Sequence, residues 1–252
     1  MTALKAAYHN ETDKLLLRKK YIVFLIIGAI ICVLFVSAGA VASGLLGHLS
    51  GFAFNITPSP IGVLPLFSQV IIPLLVFMGA ADLITAESSD STMKAMICRP
   101  VERWKLYTAK LLAIVSYAAV YLGCIFVLST LVNLATGSGI GFSGIFNALV
   151  AYVITLFPLA VLATFAALVA LFGKSSTLTM LLLIVIYATL NVLPFLFPSL
   201  FDMLFTSYLG WYRLWIGVLP NASRILHMLA IVGGYGIVFF TAGSLIFDRK
   251  EY

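Results

Sequence analysis

The sequence predicts an all-α polytopic membrane protein with six transmembrane helices, and three observations carry that prediction. Of its 252 residues, 62% are hydrophobic and 10% charged, against about 45–50% apolar and about 25% charged in soluble domains. The apolar residues form continuous runs, whereas a barrel strand would alternate apolar with polar, so helices are left as the structure that can satisfy its own backbone in lipid. The cations cluster between the runs. This composition excludes a soluble enzyme, and an aromatic share of 13% excludes a disordered chain.

The elements follow in order. Residues 1–20 mix Leu4, Ala7, Tyr8, Leu15 and Leu16 with Lys5, Glu11, Asp13, Lys14 and Arg18 to Lys20. That pattern predicts an amphipathic helix lying along the membrane surface with its cations near lipid phosphates. A span needs about 20 mostly apolar residues, and six runs qualify: 21–43, 62–85, 106–135, 144–172, 177–195 and 225–247. The first is too long for the apolar region of a cleaved signal peptide.

The loop that begins at 86 is the longest polar stretch. Ser88, Ser89, Asp90 and Ser91 are helix N-cap candidates, and Arg99-Pro100 is a break, which predicts a short helix within 86–105. Met93, Met96 and Ile97 fall on one face of it. Flexible methionines suit docking into a groove of a partner; resting against the membrane surface is the other reading. Gly173-Lys174-Ser175-Ser176 predicts a tight turn between the fourth and fifth runs. Residues 196–224 include Asp202 and Arg213 among Tyr208, Trp211, Tyr212 and Trp215. An arginine at the bilayer centre costs at least about 2.5–3.5 kcal/mol and such aromatics prefer the interface, so this stretch predicts one or two short helices in the outer leaflet.

Orientation comes from lysine and arginine, which cytoplasmic loops retain. With the N-terminus inside, all of the 15 cations except Arg213 and Arg224 fall on the inner side. Both termini are therefore predicted to be cytoplasmic, in a multi-pass protein of the cell membrane. The same asymmetry accounts for the net charge of +6 without a nucleic-acid partner. Cys32, Cys98 and Cys124 have unrelated spacings and form no metal-ligand pattern. A phosphate-binding GxxxxGK[ST] loop is absent, because Leu168 stands where Gly173-Lys174-Ser175 would need its earlier glycine.

Glu87, the run Ser91-Thr92-Met93-Lys94, Arg99-Pro100-Val101, Arg103 and Lys110 resemble the first cytoplasmic loop of permeases of type-2 ATP-binding-cassette (ABC) exporters. The order of elements and the basic ending Phe247-Asp248-Arg249-Lys250 are also similar to that family over about the whole chain. The resemblance implies an N-terminal elbow helix (1–20), a coupling loop (86–105) and short extracellular helices (196–224) within one permease domain. It implies a transport subunit without its own catalysis, paired with a second permease copy or paralogue and with separate ATP-binding subunits that hold ATP and magnesium. No cofactor is then expected in this chain. The coupling residues implied are Glu87, Asp90, Met93, Lys94, Met96, Ile97, Arg99 and Arg103. Read on its own, Glu87 would simply pair with a surface cation to little effect.

Small residues let helices approach closely, so Gly39, Ser43 and Gly47 are candidate dimer contacts, with ordinary packing inside the chain as the other reading. The outer aromatic segment and a midplane without charge point to an amphipathic or hydrophobic cargo, either a lipid-like molecule or a membrane-active antimicrobial peptide whose export would confer resistance. Two other classes stay open on sequence alone. An ion-coupled transporter would need ionisable residues or broken helices near the midplane, for which Asp82, Pro73 and Pro158 are the nearest features. An intramembrane serine protease of rhomboid type would use Gly141-Phe142-Ser143-Gly144 with His227 as a Ser–His pair.

Overall fold

Backbone amides in lipid need internal partners, and the chain answers with helix: no strand occurs among the described residues. The computed structural model describes residues 2–46, 59–89, 102–136, 141–215 and 222–250. Helix α1 (Thr2–Leu17) bends at Arg18 into α2 (Lys19–Leu46). Three short helices follow, α3 (Pro60–Leu66), α4 (Ile72–Ala80) and α5 (Glu87–Ser89), joined by π-helical turns at Phe67–Ile71 and Ala81–Ala86. Helices α6 (Arg103–Ala135), α7 (Phe142–Ala170), α8 (Ser176–Leu196) and α9 (Ala222–Arg249) complete the bundle. Between α8 and α9 lie 3-10 turns at Pro198–Leu200 and Phe205–Trp215.

Among the described residues six stretches are long and apolar enough to cross a membrane: Lys19–Gly39, Pro60–Ala86, Arg103–Ala135, Phe142–Ala170, Ser176–Pro194 and Ile225–Arg249. They coincide with the six predicted runs to within a few residues at each end. The second run differs from the regular helix expected of it. Pro73 has no N–H to donate to the carbonyl of Gln69, and the π turn just before it reroutes the preceding bonds, with Ile72 N–H donating to Phe67 O. The vacated Gln69 carbonyl accepts the Tyr187 hydroxyl of α8 at 2.7 Å. Pro158 repeats the device in α7. The Ile154 carbonyl, four residues earlier, accepts the indole N–H of Trp211 at 3.1 Å.

The second, third and fourth spans form the centre of the bundle, and the first, fifth and sixth lie around them. Val63, Leu64, Phe67, Ile72, Val76, Phe77 and Ala80 of the second span are fully buried. The first span leans on α6 through aromatic contacts: Tyr21 meets Tyr117 edge-on at 5.2 Å, and the Tyr117 hydroxyl donates to Tyr21 O at 2.9 Å. Phe165, Phe205, Tyr235 and Phe239 fasten α7, the long 3-10 turn and α9 to one another with centroid separations of 5.3–5.6 Å. Outward-facing Ile22, Ile26, Ile30 and Leu34 of α2 and Leu178, Leu181 and Val185 of α8 present the apolar surface that a bilayer requires.

Two expected surface elements prove to be part of this packing. In α1, Glu11 and Leu15 are fully buried, because α1 lies against α6, whose Lys110 supplies Glu11 with a counter-charge. The 3-10 turn Phe205–Trp215 buries Phe205, Thr206, Tyr208, Leu209, Trp211 and Tyr212, mainly against α7.

Candidate functional site

One end of the bundle carries most of the basic residues, and buried charge concentrates there. Glu11 and Lys14 lie on successive turns of α1, Glu87 opens α5, and Lys110 sits two turns into α6. Lys110 Nζ donates to Glu87 Oε2 at 2.5 Å and to Glu11 Oε2 at 3.0 Å. Lys14 Nζ donates to Glu87 Oε1 at 2.8 Å and to Glu11 Oε1 at 3.0 Å. Each ammonium thus touches both carboxylates, and the four charges sum to zero. The side chains of Glu11 and Lys110 are fully buried, whereas that of Lys14 is 29% exposed. Burial alone would raise the Glu87 carboxyl, but Lys110 and Lys14 outweigh it and hold it below the usual carboxylate value. Burial likewise opposes the charge on Lys14, and Glu87 and Glu11 raise it above the usual ammonium value despite that.

Further into the second span, Asp82 is 3% exposed and gathers a second set of partners. Its carboxylate accepts the Tyr21 hydroxyl at 2.8 Å and the Ser176 hydroxyl at 3.2 Å. It pairs with Arg18 at 3.4 Å and with Lys20. The neighbouring Thr85 hydroxyl donates to Ala170 O at 2.8 Å, at the end of α7. The turn after α7 passes so close that a Cβ on Gly173 would fall 1.9 Å from Thr179 Oγ1 and 3.0 Å from Thr85 Cγ2. Only glycine fits there, in keeping with the tight turn expected at that position.

At the opposite end, the second span, α8 and the long 3-10 turn enclose a partly open cavity of about 840 Å³. Val70, Pro73, Leu74, Phe77 and Ile184 give it apolar walls, and Gln69, Asn191, Asp202, Thr206 and Arg213 add polar groups.

Of the predicted coupling residues, Glu87 and Arg103 fall among the described residues. Glu87 pairs with cations, as expected, but inside the protein and not at its surface. Arg103 caps the last helix, its guanidinium donating to Asp248 O at 2.6 Å and Lys250 O at 3.3 Å. Asp90, Met93, Lys94, Met96, Ile97 and Arg99, with the short helix predicted there, lie outside the described residues. Of the candidate dimer contacts, Gly39 is buried within the chain and Ser43 lies on α2, while Gly47 is outside the described residues. Ser143 and His227 are both exposed and make no hydrogen bond to each other, so the protease reading finds no catalytic pair. The described residues contain no group of His, Cys, Asp and Glu side chains able to hold a metal ion.

Glu11, Lys14 and Asp82 were not among the sequence-derived coupling residues. Their signal was present as charge inside or beside apolar runs, since Asp, Glu and Lys are almost never fully buried unless paired. What the sequence did not supply was the pairing, which spans 99 positions between Glu11 and Lys110.

A family model described as ABC-2 family transporter protein matches residues 11–191. No curated protein matches the chain.

Proposed function

This chain belongs to the ABC-2 family of transporter proteins, a multi-pass membrane permease of an ABC transporter, and on that premise we propose that it couples ATP hydrolysis on separate subunits to export of an amphipathic or hydrophobic molecule. Partnership with ATP-binding subunits goes with the family; export, the cargo and the route of coupling are the proposal. The permease works as a pair, with a second copy or a paralogue, in the cell membrane with both termini cytoplasmic. ATP and magnesium reside on the partner subunits.

The observation that carries the coupling route is the buried quartet Glu11, Lys14, Glu87 and Lys110. Glu87 lies just before residues 90–101 and Lys110 shortly after them, so the two flanks of that segment are tied to each other and to α1. When the ATPase subunits close, they displace the segment, and both flanks and α1 follow as one body. Packed helical interfaces turn such a push into a switch between two arrangements.

The test is co-expression with a separate P-loop ATPase subunit that copurifies with the intact chain, using a chain deleted for 92–98. The deletion is expected to abolish ATPase copurification while membrane insertion persists. Copurification undiminished by the deletion removes the coupling reading.

A further inference from the structure

Where α7 and α9 end side by side, at the basic end of the bundle, they leave an open groove of about 490 Å³ lined by Leu171, Phe172, Leu245, Ile246, Arg249 and Lys250. Its residues are ordered along the helix axis. On α9, Leu245 and Arg249 are four apart, as are Ile246 and Lys250, so each cation stands one turn beyond an aliphatic side chain on the same face. Phe172 and Leu245 are 66% and 58% exposed, and no acidic side chain lines the groove. Among the described residues no carboxylate pairs with Arg249, which is exposed, or with Lys174, exposed in the turn after Phe172. Lys250 Nζ donates to Leu171 O at 2.5 Å, and Arg103 donates to the carbonyls of Asp248 and Lys250. The helix C-terminal carbonyls that would repel an anion are thus already covered by cations. Burial opposes the charge on Lys250, a cost that an anion beside it offsets. Positive charge between spans is enough to set orientation; orientation does not require cations to stand over an apolar groove.

From this arrangement we propose that the groove binds one anionic glycerophospholipid of the leaflet facing the basic end, with its phosphate at Arg249 and Lys250 and an acyl chain along α9. The guanidinium can take phosphate oxygens in pairs, and the ammonium adds a point charge. Basic pockets between spans select anionic heads in this way. The chain has a path: Val238, Thr241 and Leu245 are exposed and share one face of α9 with Arg249. From Arg249 to Val238 the helix rises about 16 Å, close to one leaflet's share of an about 30 Å hydrocarbon core. A zwitterionic head brings its own ammonium toward two cations, and a water-soluble phosphate has nothing to place on Phe172 and Leu245. The bound lipid joins the turn after α7 to the end of α9, beside the Lys250–Leu171 bond that already links them. The site is separate from the cargo and from the coupling route.

The purified full chain is titrated in mild detergent with phosphatidylglycerol or with phosphatidylcholine of identical chains, and bound lipids are counted by native mass spectrometry. The first phosphatidylglycerol should bind at least about 10-fold tighter than the first phosphatidylcholine and should raise the melting temperature by mass action. One basic side chain at an anionic head is worth about 5-fold in affinity. Arg249→Gln should therefore weaken the first phosphatidylglycerol about 5-fold and leave phosphatidylcholine unchanged. Because Arg249 is exposed, the lipid-free melting temperature should not move, which separates lost binding from lost folding. Lys5→Gln removes the same charge from an exposed position of α1 outside the groove and should leave the first site intact. Glycerophosphoglycerol, the same head without acyl chains, should not displace the lipid even in large excess. Equal affinity for the two lipids overturns the anionic assignment. Equal losses in Lys5→Gln and Arg249→Gln reduce the effect to net charge and overturn the groove as the site, and displacement by the soluble head overturns the acyl contact.

Discussion

Replacing Lys110 by methionine removes the one ammonium of the quartet that has no access to water. Its loss leaves Glu11 and Glu87, both nearly fully buried, with Lys14 as the cation they share. Breaking a buried pair from one side costs about 3–5 kcal/mol, because the abandoned charge remains desolvated. Lys14→Met removes the same formal charge, but at a side chain 29% exposed. Its cost falls between the buried value and the 0–1 kcal/mol of an exposed pair, or about 1–2 kcal/mol. At about 2–4 °C per kcal/mol for a chain of this size, Lys110→Met should lower the melting temperature by about 6–20 °C and Lys14→Met by about 2–8 °C. The assay is thermal unfolding of the purified full chain in maltoside, followed by tryptophan fluorescence. Pairing Lys110→Met with Glu87→Leu takes away the uncompensated carboxylate and should recover several degrees over Lys110→Met alone. The reasoning is refuted if Lys14→Met is as damaging as Lys110→Met, or if the double variant melts no higher than the single.

The same quartet sets a pH range. The Glu87 carboxyl is held below its usual value, so its contribution is complete above the ordinary carboxylate range, near pH 4.3, and is lost as pH falls further. Lys14 is raised, so its contribution is complete below about pH 10.4 and is lost only at higher pH. Melting temperature should therefore be flat between about pH 5 and 9 and fall in acid, with a shallower acid limb in Glu87→Gln; an identical limb would assign the acid sensitivity elsewhere. Asp82→Leu strips Tyr21 of its acceptor and Arg18 and Lys20 of their counter-ion, and should cost about 2–4 kcal/mol. Asp82→Asn, which keeps the acceptor, should cost less, as the two melting curves will show. A Cβ on Gly28 would lie 1.7 Å from the Tyr121 hydroxyl, at the tip of a ring wedged against α2. Gly28→Ala should thus lower stability by about 1–3 kcal/mol, and Tyr121→Phe in the same chain should restore part of it; no rescue would mean the strain lies elsewhere.

The spans were legible because membrane insertion is decided by composition over about 20 residues, and nothing in the tertiary structure can override a run such as Tyr21 to Val36. Irregularity within a span was less legible. Pro73 and Pro158 announce missing donors, but not that Tyr187 and Trp211 reach in from other elements to take the freed carbonyls. The charged cluster was legible by halves. Glu87 and Lys110 stand out as ionisable groups at the ends of apolar runs, and Glu11 reads as one more polar residue of a surface helix until Lys110 is seen beside it. Long-range pairing of that kind leaves no mark in local periodicity, because its partners lie 99 positions apart. The 3-10 turn Phe205–Trp215 shows the same limit: its aromatic residues signal an interface, yet they are buried by contact with α7.

The spacing of Asp82 and Glu87 explains how the second span can serve both ends of the molecule. In a regular α-helix, residues five apart point about 140° away from each other. The π turn Ala81–Ala86 bonds across five residues and brings that pair toward a common face, where the N-terminal segment runs past it in the opposite direction. Glu87 accordingly meets Lys14, and Asp82 meets Arg18, Lys20 and Tyr21. Sliding this segment along the second span would break both sets of contacts at once in a medium that screens charge poorly. On the proposed coupling route the segment and the lower half of the second span would therefore move as one body. Phe77, one π turn and one helical turn away, already lines the cavity, and so do Pro73 and Gln69 beside the other π turn. On the proposed coupling route, a displacement entering at Glu87 would reach the cavity wall through a single helix, whose two π turns bracket α4.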